Sequence, residues 1–110
     1  MAKLYTKRCK PCEGNVPPLQ IKEADTLLKE LEGWEISPDY TSIHKSFEFK
    51  DFAKTMEFVE KIAKIAEEEG HHPDLHISYD TLEVELSTHA IGGLSENDFI
   101  VASKIDRVAH

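Results

Sequence analysis

The chain reads as an α+β two-layer sandwich, a four-stranded antiparallel sheet with three helices on one face. Three observations predict it. Residues alternate apolar and polar in four short runs, and the runs fall in two pairs joined by turns, so each pair folds as a hairpin. Stripes of helical period stand before each pair and after the last, giving the order α-β-β-α-β-β-α. At 110 residues there is room for one domain with a core that needs no disulfide framework.

The elements follow in order. Residues 1–19 read as an extended N-terminal arm punctuated by Pro11, Gly14, Pro17 and Pro18, and a single domain fills 20–110. Ala24, Leu27, Leu28 and Leu31 make the stripe of a short helix from Lys22 to Leu31, stopped by Gly33. Trp34 and Ile36 alternate with Glu35 and Ser37 before a turn at Pro38-Asp39. Ile43, Phe47 and Phe49 alternate with His44, Ser46 and Glu48 in the strand that returns.

Asp51 can cap a long helix running to Glu69. Phe52, Met56, Val59, Ala63 and Ala66 form its expected stripe, widened by Phe58, Ile62 and Ile65, which predicts a substantially buried helix. Gly70 ends it and leaves His71 and His72 just beyond. Leu75, Ile77 and Tyr79, then Leu82, Val84 and Leu86, predict a second hairpin turning at Asp80-Thr81. Gly92-Gly93 marks a loop, and Ser95-x-x-Asp98 is a capping box with Asp in place of Glu. The last helix carries Phe99, Ala102, Ile105, Val108 and Ala109.

Composition narrows the function. A hydrophobic content of 40% and a charged content of 31% suit a soluble globular protein. A net charge of −8 disfavours nucleic acid, whose phosphates need Lys and Arg, but leaves small molecules and protein partners open. No apolar run reaches the ~18 residues of a membrane span. Met1-Ala2-Lys3-Leu4-Tyr5 lacks the apolar stretch of a secretory signal, so a cytoplasmic protein is expected.

Two features carry chemistry. Cys9-Lys10-Pro11-Cys12 could give half of a tetrahedral zinc site, a disulfide or a redox pair, or be inert; the glycine and prolines after it do not suit a strand-to-helix redox motif. The stronger feature is Glu67-x3-His71-His72-Pro73-x5-Tyr79-x9-His89-x8-Asp98. Antiparallel pairing of the second hairpin sets His89, after its last strand, beside the His71-His72 loop before its first. Imidazole titrates near neutrality, so three together suit proton transfer or metal binding. Adjacent histidines splay apart and no HExxH pattern is present, which favours acid–base work over a metal. His44, His76 and His110 are isolated and read as surface residues. No serine or cysteine nucleophile set and no phosphate-binding glycine loop is legible.

From Pro18 onward these residues resemble the pterin-4a-carbinolamine dehydratases, also known in animals as a dimerisation cofactor of a transcription factor. The resemblance rests on Gly33-Trp34, Phe47-Glu48-Phe49-Lys50-Asp51-Phe52, Glu67 with His71-His72-Pro73-Asp74, Leu86-Ser87-Thr88-His89, and Gly93-Leu94-Ser95-Glu96-Asn97-Asp98. It implies a hydro-lyase that removes water from 4a-hydroxytetrahydropterin to give the quinonoid dihydropterin, recycling a tetrahydrobiopterin-type cofactor. It needs no metal and no bound cofactor. His71 and His89 would be the principal acid and base, assisted by His72. Glu67 would hydrogen-bond the pterin, Gly70, Pro73, Ser87 and Thr88 would contribute to its binding site, and Asp98 would orient a histidine. The resemblance also implies a homo-oligomer, dimer or tetramer, and a functional link to an aromatic amino-acid hydroxylase. Some proteins of this fold act instead as transcription cofactors or assembly chaperones, so a non-catalytic binding module is the alternative. Gly70 stands where many animal members carry an acid, and Leu75 where they carry tryptophan; both bear on substrate preference.

Overall fold

A computed structural model describes residues 3–10 and 17–109. Its elements are α1 (Ile21–Leu28), β1 (Glu35–Ile36), β2 (Ile43–Glu48), α2 (Phe52–Glu69), β3 (Asp74–Ser78), β4 (Thr81–Leu86) and α3 (Glu96–Val108), with 3₁₀ turns at Leu4–Thr6 and His89–Ile91. The expected order and fold class hold. The sheet runs β1-β2-β4-β3 and every neighbouring pair is antiparallel. The central pair registers Ile43 with Leu86 and Phe47 with Leu82. This puts Ile43, Phe47, Leu82, Val84 and Leu86 on the covered face, where all are buried. His44, Ser46, Glu83 and Glu85 take the opposite parity and are exposed.

The helices close the core over that face. Phe58 of α2 lies 4.9 Å from the Phe47 ring and 5.1 Å from the Phe49 ring. Residues Asn97 to Ser103 of α3 are buried without interruption, because this helix meets α1, α2 and the first 3₁₀ turn. Its expected single stripe is therefore too narrow: α3 is the central helix of the layer. Leu4 joins the same core at 2% exposure, a burial that stabilises by about 1.5–3 kcal/mol.

Four expectations need correction. The first helix stops at Leu28, and Glu30 and Leu31 donate to Leu27 and Leu28 in tighter turns. Those turns let the chain reverse at Gly33 (φ +78°) so that Trp34 enters the core, and Leu31 stays half-buried without being helical. The α2 stripe is rotated: Thr55, Phe58, Ile62 and Ala66 are buried, Ala63 is exposed and Phe52 is 49% exposed. The helix carries two apolar stripes, and the sheet takes the one centred on Phe58 and Ile62. The second hairpin turns at Tyr79-Asp80, with Thr81 already paired to Ser78. Tyr79 has φ +50° and is 66% exposed, so it is a turn residue and no part of the apolar face. Finally, β1 contains only Glu35 and Ile36.

Candidate active site

The C-terminus of α2 creates the site. Asp51 starts the helix by accepting from the Lys54 amide at 2.9 Å, and after eighteen helical residues Gly70 ends it with φ +67°. That left-handed residue, which glycine adopts without steric cost, swings His71 back towards α3. His71 Nε2 lies 2.6 Å from Asp98 Oδ1, and the side chains are 12% and 0% exposed.

Asp98 is held from three sides. As the third residue of α3 its Oδ2 accepts from the Ser95 amide at 3.0 Å and from Thr88 Oγ1 at 2.8 Å. An aspartate so placed accepts from His71 as well, which assigns the ring proton to Nε2 and leaves Nδ1 for a ligand. The capping box read from Ser95-x-x-Asp98 thus has two uses, ending the loop and gripping an imidazole.

The other two imidazoles are wetter. His72 is 60% exposed with its Nε2 2.5 Å from Glu67 Oε2. His89 opens the 3₁₀ turn after β4 and lies 4.0 Å from Asp74 Oδ2. The strand ends at Leu86, so Thr88 and Gly93 form a bridge and the turn between them presents His89.

A cavity of about 500 Å³ joins His71, His72 and His89 with Gly70, Ser87 and Thr88. This volume lies in the range of small-molecule sites, about 300–1,000 Å³. Of the other expected residues, Asp98 lies behind His71, Glu67 flanks His72 on the helix, and Pro73 is not among the cavity's walls. Tyr79 sits at the far end of β3, roughly 17 Å of strand away. His44 and His76 face a different hollow on the open side of the sheet.

The sequence marked Cys9 for its CxxC spacing, but it gave no site role to Lys10, Glu69, Ala90 and Asn97, which with Cys9 complete the wall. Their proximity is tertiary: residues 7–10 lie against α2 and α3. The Glu69 side chain, 4% exposed, accepts from Lys104 Nζ at 2.7 Å and the Cys9 amide at 2.8 Å, with Arg8 Nε at 3.1 Å. Burial pushes the Glu69 carboxyl up, but those hydrogen bonds and the Lys104 and Arg8 charges outweigh it and hold the group below 4.5. Burial first, then the Glu69 charge, pushes the Cys9 thiol up to about 12, so Cys9 is no nucleophile at neutral pH. Cys12 lies outside the described residues, and with it the fate of the cysteine pair. Among the described residues no three His, Cys, Asp or Glu side chains are grouped to hold one metal ion.

Comparison with known proteins bears on the family and the fold. The sequence model of the pterin 4 alpha carbinolamine dehydratases matches residues 17–108. A Nitrosomonas europaea protein carrying the provisional name pterin-4-alpha-carbinolamine dehydratase is 53% identical over 104 residues, covering 94% of this chain and 90% of its own. The crystal structure of a Brucella melitensis transcriptional coactivator/pterin dehydratase superposes with a TM-score of 0.81 at 33% identity, over 84% of this chain and 99% of that one. A pterin dehydratase-like RuBisCO assembly factor of the alpha-carboxysome shares the fold, with a TM-score of 0.62 at 24% identity over 71% and 90% of the two chains. On the family match and the relative together, the chain belongs to the pterin 4 alpha carbinolamine dehydratase family.

Proposed function

We propose that this protein dehydrates a 4a-hydroxytetrahydropterin to the quinonoid dihydropterin by histidine acid–base catalysis. The observation that carries the reading is the convergence of His71, His72 and His89, from two chain segments, on one cavity. In the reaction the C4a–O bond breaks, the hydroxyl leaves as water after gaining a proton, and a ring nitrogen gives up its proton. One acid and one base suffice, and imidazoles supply both near neutral pH. His71, locked by Asp98, presents Nδ1 in a fixed direction. His89 and the His72–Glu67 pair reach the substrate from the open side, with Ser87, Thr88 and Gly70 bounding the ring and Pro73 stiffening the loop.

The test is turnover of chemically generated 4a-hydroxytetrahydropterin, followed in the ultraviolet, for wild type, His71→Ala and His89→Ala. Each variant should lose on the order of 10²- to 10⁴-fold. Equal rates in all three would remove the catalytic assignment.

A second, binding role is favoured by one surface. The exposed stripe of α2 carries Phe52 at 49% exposure beside half-buried Met56 and Val59. A second copy of the chain would cover it, making a dimer or tetramer in the cytoplasm that serves an aromatic amino-acid hydroxylase. A partner protein in a coactivator or assembly role would use the same stripe. Sedimentation of wild type against Phe52→Glu separates a self-contact from a free surface.

A further inference from the structure

Cys9 and Lys10 supply part of the cavity's wall, yet they lie ahead of the stretch matched by the family's sequence model. Their position is tightly set. The Lys10 amide donates to Asn97 Oδ1 at 3.0 Å, and Asn97 Nδ2 donates back to the Lys10 carbonyl at 2.6 Å. One residue earlier the Cys9 amide is fixed by Glu69, and Lys7 reaches Glu96 at 2.9 Å. Two hydrogen bonds to one α3 side chain therefore hold the backbone of Lys10 against that helix.

The cations at this end of the molecule differ in one respect. Lys7 pairs with Glu96, and Arg8 and Lys104 pair with Glu69. Lys10 is exposed at the cavity, and among the described residues no carboxylate pairs with its ammonium. Several polar groups of the wall already have partners: His71 Nε2 with Asp98, His72 Nε2 with Glu67 and Thr88 Oγ1 with Asp98. An unpaired ammonium on an ordered backbone is a donor suited to a ligand's acceptor oxygens.

We propose that Lys10 is a specificity-determining residue that binds acceptor oxygens, hydroxyl or phosphate, on the substituent projecting from a bound pterin ring. The inference rests on the reading of the cavity as a pterin site. It makes Lys10 a contact for the substrate's tail, outside the proton transfers, and Asn97 a positioning residue that acts through it.

Calorimetric binding of three stable oxidised pterins tests it: one methyl-substituted, one dihydroxypropyl-substituted and the phosphate ester of the latter. Lys10→Ala on the exposed surface leaves the fold intact. It should weaken the oxygenated ligands about 3- to 10-fold, the scale of an exposed charged hydrogen bond, and leave the methyl pterin unchanged. Lys10→Arg should restore the preference. A stronger effect on the phosphate ester identifies an anionic tail, and equal effects on both identify the hydroxyls. Uniform weakening of all three, no weakening, or failure of the wild type to bind any pterin overturns the proposal. Lys10-dependent binding without carbinolamine turnover would sink the dehydratase reading alone, and turnover with Lys10-independent affinities would sink this one alone.

Discussion

His71 Nε2 stands 2.6 Å from Oδ1 of Asp98, a carboxylate with no solvent exposure whose other oxygen is bound by Thr88 and Ser95. One aspartate therefore ties α3, the loop after β4 and the loop after α2 into a single unit. Asp98→Asn keeps the shape but can offer His71 an NH₂ group where an acceptor stood, which favours the wrong imidazole tautomer. Turnover should fall on the order of 10²- to 10⁴-fold, while denaturant unfolding shows a loss of about 1–3 kcal/mol. Unchanged turnover would show that Asp98 is structural only.

His89 separates catalysis from stability. Its side chain is 82% exposed, so His89→Ala should leave the unfolding free energy within about 0.5 kcal/mol of wild type. The rate should nevertheless drop by orders of magnitude. A matched loss of rate and stability would mean that the loop had collapsed and no acid or base had been removed.

Two glycines predict a ranking. A Cβ at Gly70 would meet no atom within 4 Å, so Gly70→Ala bears only the strain of φ +67°, about 1–2 kcal/mol. A Cβ at Gly93 would lie 2.7 Å from Pro18 Cβ, an atom in a stiff ring, so chain must move. Thermal melts should place Gly93→Ala below Gly70→Ala. The reverse order would show that the Pro18 segment yields freely.

Glu69 and Cys9 predict opposite pH behaviour. Because the folded Glu69 carboxyl titrates below its ordinary value of 4.5, the folded state binds fewer protons than the unfolded chain near that pH. Its contribution is complete above the ordinary value and disappears as pH falls through the depressed one. Glu69→Gln should be less stable than wild type at pH 7, by about 1.5–3 kcal/mol for its charged hydrogen bonds, and the gap should close in acid. A gap that is constant with pH would contradict the ion-pair account.

With the thiol held up to about 12, Cys9 should resist iodoacetamide at neutral pH in the folded protein, measured in a Cys12→Ser background. Glu69→Gln removes the nearby negative charge and should speed alkylation without making it fast, since burial is the larger cause. Rapid labelling of the folded wild type would show that the arm does not pack as described.

Much of this was legible in the sequence. Gly70 after a capped amphipathic run, two alternating pairs and the Ser95-Asp98 box are local signals, and each is found in place. The imidazole convergence was legible too, because antiparallel pairing ties the end of β4 to the start of β3. The face chosen by α2 was not: Phe52 and Phe58 are equally apolar, and only the position of Phe47 on the sheet selects between their stripes. The contribution of Lys10 and Asn97 was also hidden, since nothing local marks a contact spanning 87 residues.

The most direct measurement is a double-mutant cycle on carbinolamine turnover with His71→Ala, His89→Ala and the double variant. Groups from the two segments that act on one bound molecule should be strongly non-additive, the double variant losing far less than the product of the two single losses. Either single variant turning over at the wild-type rate would contradict the account.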